Sequence, residues 1–523
     1  MAITSHIFKY FKIMNQPEKI LLNLLFFTIA APLIFGYNHQ ANVVSALPEY
    51  PTKETVNMTS IEETNKISTV AKAATLTPEE AQKIAIQAYT YGYSLVTTEI
   101  TRLAFTNTTK PNPATLQAPL NQIVNQPAYP PATYKGVTAP NADTLYSVGF
   151  IDVSQEPMVF SYPDMGKRFF LFPIYDAWTN VISVPGSRTT GGQAQTLLIT
   201  GPSWRGEVPF GMTQVKSPTN NLFIIGRVYA DGTASDFAKV HGLQKEFNLV
   251  PLSQHGKSYT PPTGKTGGPY TPKDIVRDLI LNMSPPEYFN LMAKQMAIDP
   301  PTLPRDQAVV EKMAKLGIVP GQPFRFDQLD PKVQEALTGV GETVLESLEA
   351  WQKTGGKIIN GWSIPGAAGS YSTDYLARAA ISAFGWGANL PQDAVYPTAK
   401  VDGTGQSLVG NNVYKMHFKK GETPPVDGFW SITMYDEEFY FYPNPLNKLT
   451  LSPRDNLQYN TDGSLDLYFS HQQPQGVPES NWLPAPQEKF ILMMRLYWPK
   501  ENPPSILPPN NPSWNPPGIE QIK

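Results

Sequence analysis

The chain has 523 residues, with 41 Lys and Arg against 44 Asp and Glu and a formal net charge of −3, which leaves no basic face of the kind nucleic acids require. It has no cysteine, excluding disulfide scaffolds, thiolate metal sites, cysteine nucleophiles and a lipidated N-terminal cysteine. Apolar residues make up 41%, and 52 Pro with 37 Gly suit many short strands joined by turns better than a helical bundle.

The N-terminus reads as an export signal. Lys9, Lys12 and Lys19 precede an apolar run over 20–37, interrupted by Asn23 and Pro32, and Val44-Ser45-Ala46 offers small residues for cleavage after position 46. A start at Met14 would give a signal of more usual length. An uncleaved anchor is the rival reading, disfavoured by Pro32 and by a run just short of the roughly 20 residues a spanning helix needs. The expectation is an exported protein, periplasmic or extracellular, without an integral span after cleavage. Residues 47–75 are polar and read as a flexible linker containing one sequon, Asn57-Met58-Thr59.

Thr77-Pro78-Glu79-Glu80 predicts a helix start, with an N-cap Thr, Pro in the first turn and Glu three positions after the cap. Ile84, Ala88, Gly92 and Leu95 follow at helical spacing. Glu99 continues that stripe, either as an ion pair with Arg102 or as a buried acid facing a cavity. Strands are predicted over 145–153, 168–175, 180–184, 196–200 and 222–229. A Pro/Gly-rich loop spans 251–272. Helical periodicity returns over 271–353, with starts at Ser284-Pro285-Pro286-Glu287 and Asp330-Pro331. A Gly-rich stretch over 355–387 leads to a second β region over 394–498, followed by a Pro-dense tail. Asp402-Gly403, Asp427-Gly428 and Asp462-Gly463 predict turns between antiparallel strands.

The fold class expected is α+β, mainly β. A β-rich domain over 76–260 and a jelly-roll-like sandwich over 391–523 flank a helical connecting region over 261–390.

Standard catalytic signatures are missing: no Gly-x-Ser-x-Gly, no Ser-x-x-Lys, no phosphate-binding loop, no Gly-x-Gly-x-x-Gly and no His-Glu-x-x-His. His241, His255, His417 and His471 are too scattered for a local metal site. No cofactor is expected. Calcium held by loop carboxylates stays open, although no loop matches an EF-hand.

The strands carry better signals. Arg227 lies in Leu222–Tyr229 and Arg495 in Phe490–Trp498, both apolar on two faces. A buried guanidinium demands a carboxylate or a ligand anion. In 429–435, Trp430, Ile432 and Met434 read as core, while Phe429, Ser431, Thr433 and Tyr435 form a mixed face suited to a groove wall. His471 reads as a satisfied core residue and His417 as solvent-facing. Asp143, Tyr146, Asp176 and Arg188 flank strand ends. They make either an acid/base pair with a cationic anchor or a set of Asx-turns and a structural salt bridge.

Pro140-Asn141-Ala142-Asp143-Thr144-Leu145-Tyr146-Ser147, Pro185-Gly186-Ser187-Arg188-Thr189-Thr190-Gly191 and Thr200-Gly201-Pro202-Ser203-Trp204 resemble the family of domains of unknown function numbered 1254. So do Ser217-Pro218-Thr219-Asn220 and Ile225-Gly226-Arg227. Pro424–Asp436, Asp462-Gly463-Ser464, Asn481–Pro486 and Arg495-Leu496-Tyr497-Trp498-Pro499 resemble its C-terminal companion, family 1214. The resemblance covers about 75–520. One departure is Asn447-Lys448-Leu449, where the companion family commonly has Asn-Arg-Tyr. The resemblance implies two β-rich domains, the second jelly-roll-like, with helices between them and often an export signal. It implies no activity and no catalytic residues.

On the residues alone, the function expected is a hydrolase acting on a small or amphiphilic anionic substrate. Asp143 or Asp176 would be the general base, and Arg188, Arg227 or Arg495 would hold the anion. Tyr146, with an aromatic wall of Trp430, Tyr435 and Trp482, would bind the remainder. The alternative is a non-catalytic module binding lipid or carbohydrate in the cell envelope. A homo-oligomer is a mild expectation at this size.

Overall fold

The computed structural model describes residues 76–522 apart from 136, 137 and 367. The expected signal, linker and sequon over 1–75 lie outside the described residues.

Helix α1 (Pro78–Phe105) starts where its capping box predicts: Thr77 Oγ1 accepts from the Glu80 N–H, and the Glu80 carboxylate accepts from the Thr77 N–H. Ten strands and one helix follow. They are β1 (Val124–Asn125), β2 (Thr144–Asp152), β3 (Met158–Tyr162), β4 (Phe170–Leu171), β5 (Ile174–Asp176), β6 (Val181–Ser183), β7 (Gln195–Thr200), β8 (Thr213–Lys216), β9 (Asn221–Tyr229), α2 (Ala234–Gln244) and β10 (Asn248–Pro251). One sheet has the order β1-β2-β9-β5-β6, with β4 also on β9, and a second has the order β10-β3-β7-β8. Leu145, Ile151, Phe160, Leu197, Leu222, Ile224 and Val228 fill the core between them.

The connecting region holds α3 (Val276–Leu281), α4 (Pro285–Ile298), α5 (Gln307–Ala314), α6 (Pro331–Leu337) and α7 (Val340–Thr354). Both predicted starts cap helices: Ser284 with Glu287 at α4, and Asp330 on the Lys332 N–H at α6. The Gly-rich stretch contains more order than its composition suggests, namely β11 (Gly356–Ile359), β12 (Trp362–Pro365) and α8 (Tyr375–Gly385). Although α1 precedes the first sheet in sequence, its apolar stripe packs with the helices of the connecting region: Tyr89, Tyr91 and Leu95 share one core with Tyr288, Met292, Leu348 and Ala380.

The C-terminal region comprises β13 (Ala394–Val395), β14 (Thr398–Ala399), β15 (Val413–Phe418), β16 (Val426–Asp436), β17 (Thr450–Leu451), β18 (Leu465–Ser470), β19 (Trp482–Pro484), β20 (Phe490–Pro499) and β21 (Ile519–Ile522). The sheet β11-β12-β14-β20-β16-β17, with β13 on β20, shares one core with β19-β18-β15-β21. β11 and β12 therefore belong to this sandwich although they precede residue 391. The fold is α+β with two β-rich domains, as expected, and helix and strand occupy nearly equal numbers of the described residues. Asp427-Gly428 is not a turn. It lies inside β16, where the register to β20 shifts between Val426 and Phe429, and a Cβ on Gly428 would sit 2.6 Å from the Tyr497 carbonyl oxygen.

Candidate functional site: a polar seam between two sheets

Strand alternation decides which side chains meet. In β9, Leu222, Ile224 and Val228 enter the N-terminal core, which turns Phe223, Ile225, Arg227 and Tyr229 the other way. In β16 and β20, Trp430, Ile432, Met434, Leu492, Met494 and Leu496 enter the C-terminal core. Phe429, Ser431, Thr433, Tyr435, Met493, Arg495 and Tyr497 face outward. The two outward faces meet each other: the Phe429 ring lies 4.5 Å from that of Tyr229 and 4.4 Å from that of Tyr497.

Residues 139–143 lie along this seam and tie it together. Asn141 Nδ2 donates to the Tyr497 hydroxyl at 2.7 Å, and the Tyr435 hydroxyl donates to the Pro140 carbonyl at 2.6 Å. Arg495 Nη2 reaches the Ala139 and Pro140 carbonyls at 3.1 and 3.2 Å and the Tyr435 hydroxyl at 2.6 Å, while its Nη1 bonds Thr433. Ser431 Oγ donates to Asp143 Oδ2 at 2.6 Å. Arg454 Nη2 lies 2.8 Å from Asp143 Oδ1. That nitrogen spends its two hydrogens on the Ala142 carbonyl (2.9 Å) and Thr450 Oγ1 (2.7 Å), so the contact with Asp143 is coulombic rather than a hydrogen bond. Burial pushes the Tyr435 phenol up to about 12, against the pull of Arg495, so it is a neutral donor at physiological pH.

Arg227 faces Tyr146 across β9 and β2, with its guanidinium 5.3 Å from the Tyr146 ring centroid. Its Nη1 donates to the Ile225 carbonyl and to Asn389 Oδ1, both at 3.0 Å, and its Nη2 to the Gly387 carbonyl at 3.4 Å. Asn389 Nδ2 in turn donates to the Tyr396 hydroxyl at 2.8 Å, which sets Tyr396 beside Arg227. Tyr146, Tyr229, Tyr396 and Met493 are only partly buried.

The charge balance is uneven. Among the described residues at the seam, Arg227, Arg454 and Arg495 share Asp143 as the one fully buried carboxylate not gripped by another arginine, with Asp455 also acting on Arg454. Arg188 adds a neutral pair, gripping Asp393 through Nε (2.8 Å) and Nη2 (3.0 Å) where Asp393 also feels Arg227. Among the described residues, Arg227 Nε, Arg454 Nη1, Asp143 Oδ1 and Thr144 Oγ1 are enclosed without a hydrogen-bond partner. Buried groups in this condition are rare and costly.

Of the residues singled out from the sequence, Asp143, Tyr146, Arg227, Tyr435 and Arg495 converge here, with Arg188 one layer behind. Asp176 does not. It pairs with Leu222, five residues along β9 from Arg227, about 16 Å at strand rise. Its carboxylate is consumed by a turn, accepting from Trp178 N–H, Asn180 N–H and Asn180 Nδ2 at 2.8–2.9 Å. Burial raises its pKa, with the Asn180 bonds and Arg378 opposing. Trp430 packs inside the sandwich and cannot wall the seam. Trp482 sits on β19 in the opposite sheet of that sandwich, its indole N–H on the Ser470 carbonyl (3.2 Å) and hydroxyl (3.1 Å), with the core between it and the seam.

Glu99 is the ion pair with Arg102, bidentate at 2.7 and 2.8 Å. His417 sits 2.6 Å from Asp466 at the surface, and Lys448 donates to the Glu479 carbonyl at 2.6 Å. No group of three or more His, Asp or Glu among the described residues could hold a metal ion. None of their helices is long and apolar enough to cross a membrane. Sequence reasoning missed Arg454, in a single 3-10 turn, and Asn389 and Tyr396, in irregular segments. Tyr497 was available from alternation, two residues after Arg495.

This architecture has known relatives. Residues 120–251 match the family model described as Protein of unknown function (DUF1254), and residues 393–501 match Protein of unknown function (DUF1214). The two matched regions lie in that order, with the helical region between them. The crystal structure of the VPA0106 protein from Vibrio parahaemolyticus is 24% identical with a TM-score of 0.61, covering 85% of this chain and 100% of that one. It shares the fold. A putative uncharacterized protein from Burkholderia cenocepacia is 10% identical with a TM-score of 0.39, over 85% of this chain and 95% of that one. No curated protein matches.

Proposed function

We propose that the chain binds a small organic anion in the seam between the two domains. The observation that carries this reading is the excess of guanidinium over carboxylate, together with enclosed N–H groups that have no acceptor. An anion supplies both the missing charge and the missing acceptors. The export signal read from the sequence would place this binding outside the cytoplasm. The test is thermal unfolding of the full chain against pooled organic anions at fixed ionic strength. Saturable stabilisation that is lost in Arg227→Gln supports binding. Shifts that follow ionic strength alone refute it.

A hydrolytic reading has one specific support: Asp143 Oδ1 carries no hydrogen bond and could take a proton from water. Asp176 gives no such support. The reading predicts turnover of an ester, amide, sulfate or glycoside that Asp143→Asn abolishes. Anion binding without turnover leaves the binding module.

A further inference from the structure

Among the described residues, Arg102, Arg188 and Arg305 meet a carboxylate through the side edge formed by Nε and Nη2, while Arg168 meets Asp236 end-on through Nη1 and Nη2. Arg102 does so on Glu99 at 2.7 and 2.8 Å, Arg188 on Asp393 at 2.8 and 3.0 Å, and Arg305 on Asp306 at 2.8 and 3.0 Å. A planar carboxylate matches the parallel N–H pair of that edge.

The three seam arginines differ in what they have left. Arg495 has Nη2 committed to three oxygens and Nη1 to Thr433. Arg454 is unpartnered at Nη1, away from the edge that its Nη2 has already spent on Ala142 and Thr450. Arg227 has Nη1 saturated, a long bond from Nη2 to Gly387, whose carbonyl also accepts from the neighbouring Tyr175 hydroxyl, and an Nε with no acceptor among the described residues. Its guanidinium is fixed by two backbone carbonyls and Asn389, so the edge is held rigidly before any ligand arrives. Above it lies the Tyr146 ring, half-buried, and beside it Tyr396, positioned by Asn389.

Resting on the anion-binding reading above, we propose that the ligand is a carboxylate with a flat apolar body. Its carboxylate is taken side-on by the Nε–Nη2 edge of Arg227, and its body lies against Tyr146 and Tyr396. Arg227 Nε is enclosed beneath Tyr146, so entry requires that ring to turn aside.

The experiment uses the full chain and calorimetric titration with benzoate, phenylacetate and 2-naphthoate. The counterparts are benzenesulfonate, phenyl phosphate and neutral benzamide. The carboxylates are expected to bind at least tenfold more tightly than the sulfonate and phosphate, with no detectable binding of the amide. Arg227→Lys keeps the charge but replaces the fork with a point donor, and is expected to weaken the carboxylates at least tenfold. Asp176→Asn, in the separate turn, is expected to leave affinity unchanged. The ligand comparison needs no variant, so it stands even where Arg227→Lys folds poorly. Sulfonate and phosphate binding as well as carboxylate would overturn the carboxylate assignment and leave the anion seam intact. Absence of binding by every anion in the panel would overturn both.

Discussion

Ser431 and Asp143 are 288 residues apart in sequence and joined by a 2.6 Å hydrogen bond in the middle of the molecule. Ser431 is fixed by its register opposite Arg495 on β20, and Asp143 by the bend leading into β2. The bond therefore joins the two sheets beside the ties that Asn141, Pro140 and Ala142 make to Tyr497, Tyr435 and Arg454. Removing the hydroxyl in Ser431→Ala leaves a buried carboxylate oxygen without its donor. The expected loss is about 2 kcal/mol in urea unfolding. Combined with Asp143→Asn, the two losses should fall short of additive, since both act on one interaction.

Arg454 is the nearest cation to Asp143. In Arg454→Leu the carboxylate keeps Ser431 but loses its counter-charge in a fully enclosed place. Destabilisation of about 3–5 kcal/mol is expected, partly recovered in Arg454→Leu/Asp143→Asn. Full recovery is not expected, because Arg454 also satisfies the Ala142 carbonyl. If the single and double variants unfold at the same denaturant concentration, Asp143 does not depend on Arg454.

Asp299 supplies a pH dependence. Burial raises its pKa to about 6, against the opposing hydrogen bonds from Asn220 and Asn221. The folded state therefore holds this proton more tightly than the unfolded chain does. The resulting stabilisation is complete below about pH 4 and is lost as pH rises through about 6, with a total on the order of 3 kcal/mol. Asp299→Asn should flatten the difference in stability measured between pH 4 and pH 7. An unchanged profile would show that Asp299 titrates normally.

Two glycines should respond in opposite directions to alanine. Gly428 sits in the β16 bulge, where an added Cβ would lie 2.6 Å from a backbone oxygen that cannot yield. A loss of about 1–3 kcal/mol is expected. Gly242 lies exposed in α2 with nothing near its Cβ position. Gly242→Ala should gain about 0.5–1 kcal/mol through helix propensity. Paired denaturation midpoints check both.

What could be read from the sequence was local. Capping boxes marked α1 and α4, and two-residue alternation separated Trp430, Ile432 and Met434 from Phe429, Ser431, Thr433 and Tyr435. Trp430 nevertheless also reads as part of an aromatic binding wall, which the same alternation argues against. Asp427-Gly428 misled because a bulge and a hairpin turn make similar demands on glycine, and only the partner strand distinguishes them. Placing α1 against the later helices, and Arg454, Asn389 and Tyr396 at the seam, depends on contacts between distant segments. No periodicity encodes those. Asp176 looked equivalent to Asp143 because both follow an Asx-turn pattern near a strand end. Five residues of strand register separate their fates.

Arg188 belongs to the first β region and Asp393 to the head of the second, and their bidentate pair joins the two. Each half thus keeps an ion whose complement is made only by the other. Fission of the coding sequence between them would yield two polypeptides, each with a bare charged surface and a row of wet aromatics. Such fragments would regain a complete ion pair only by reassociating, so the two halves behave as one unit of stability.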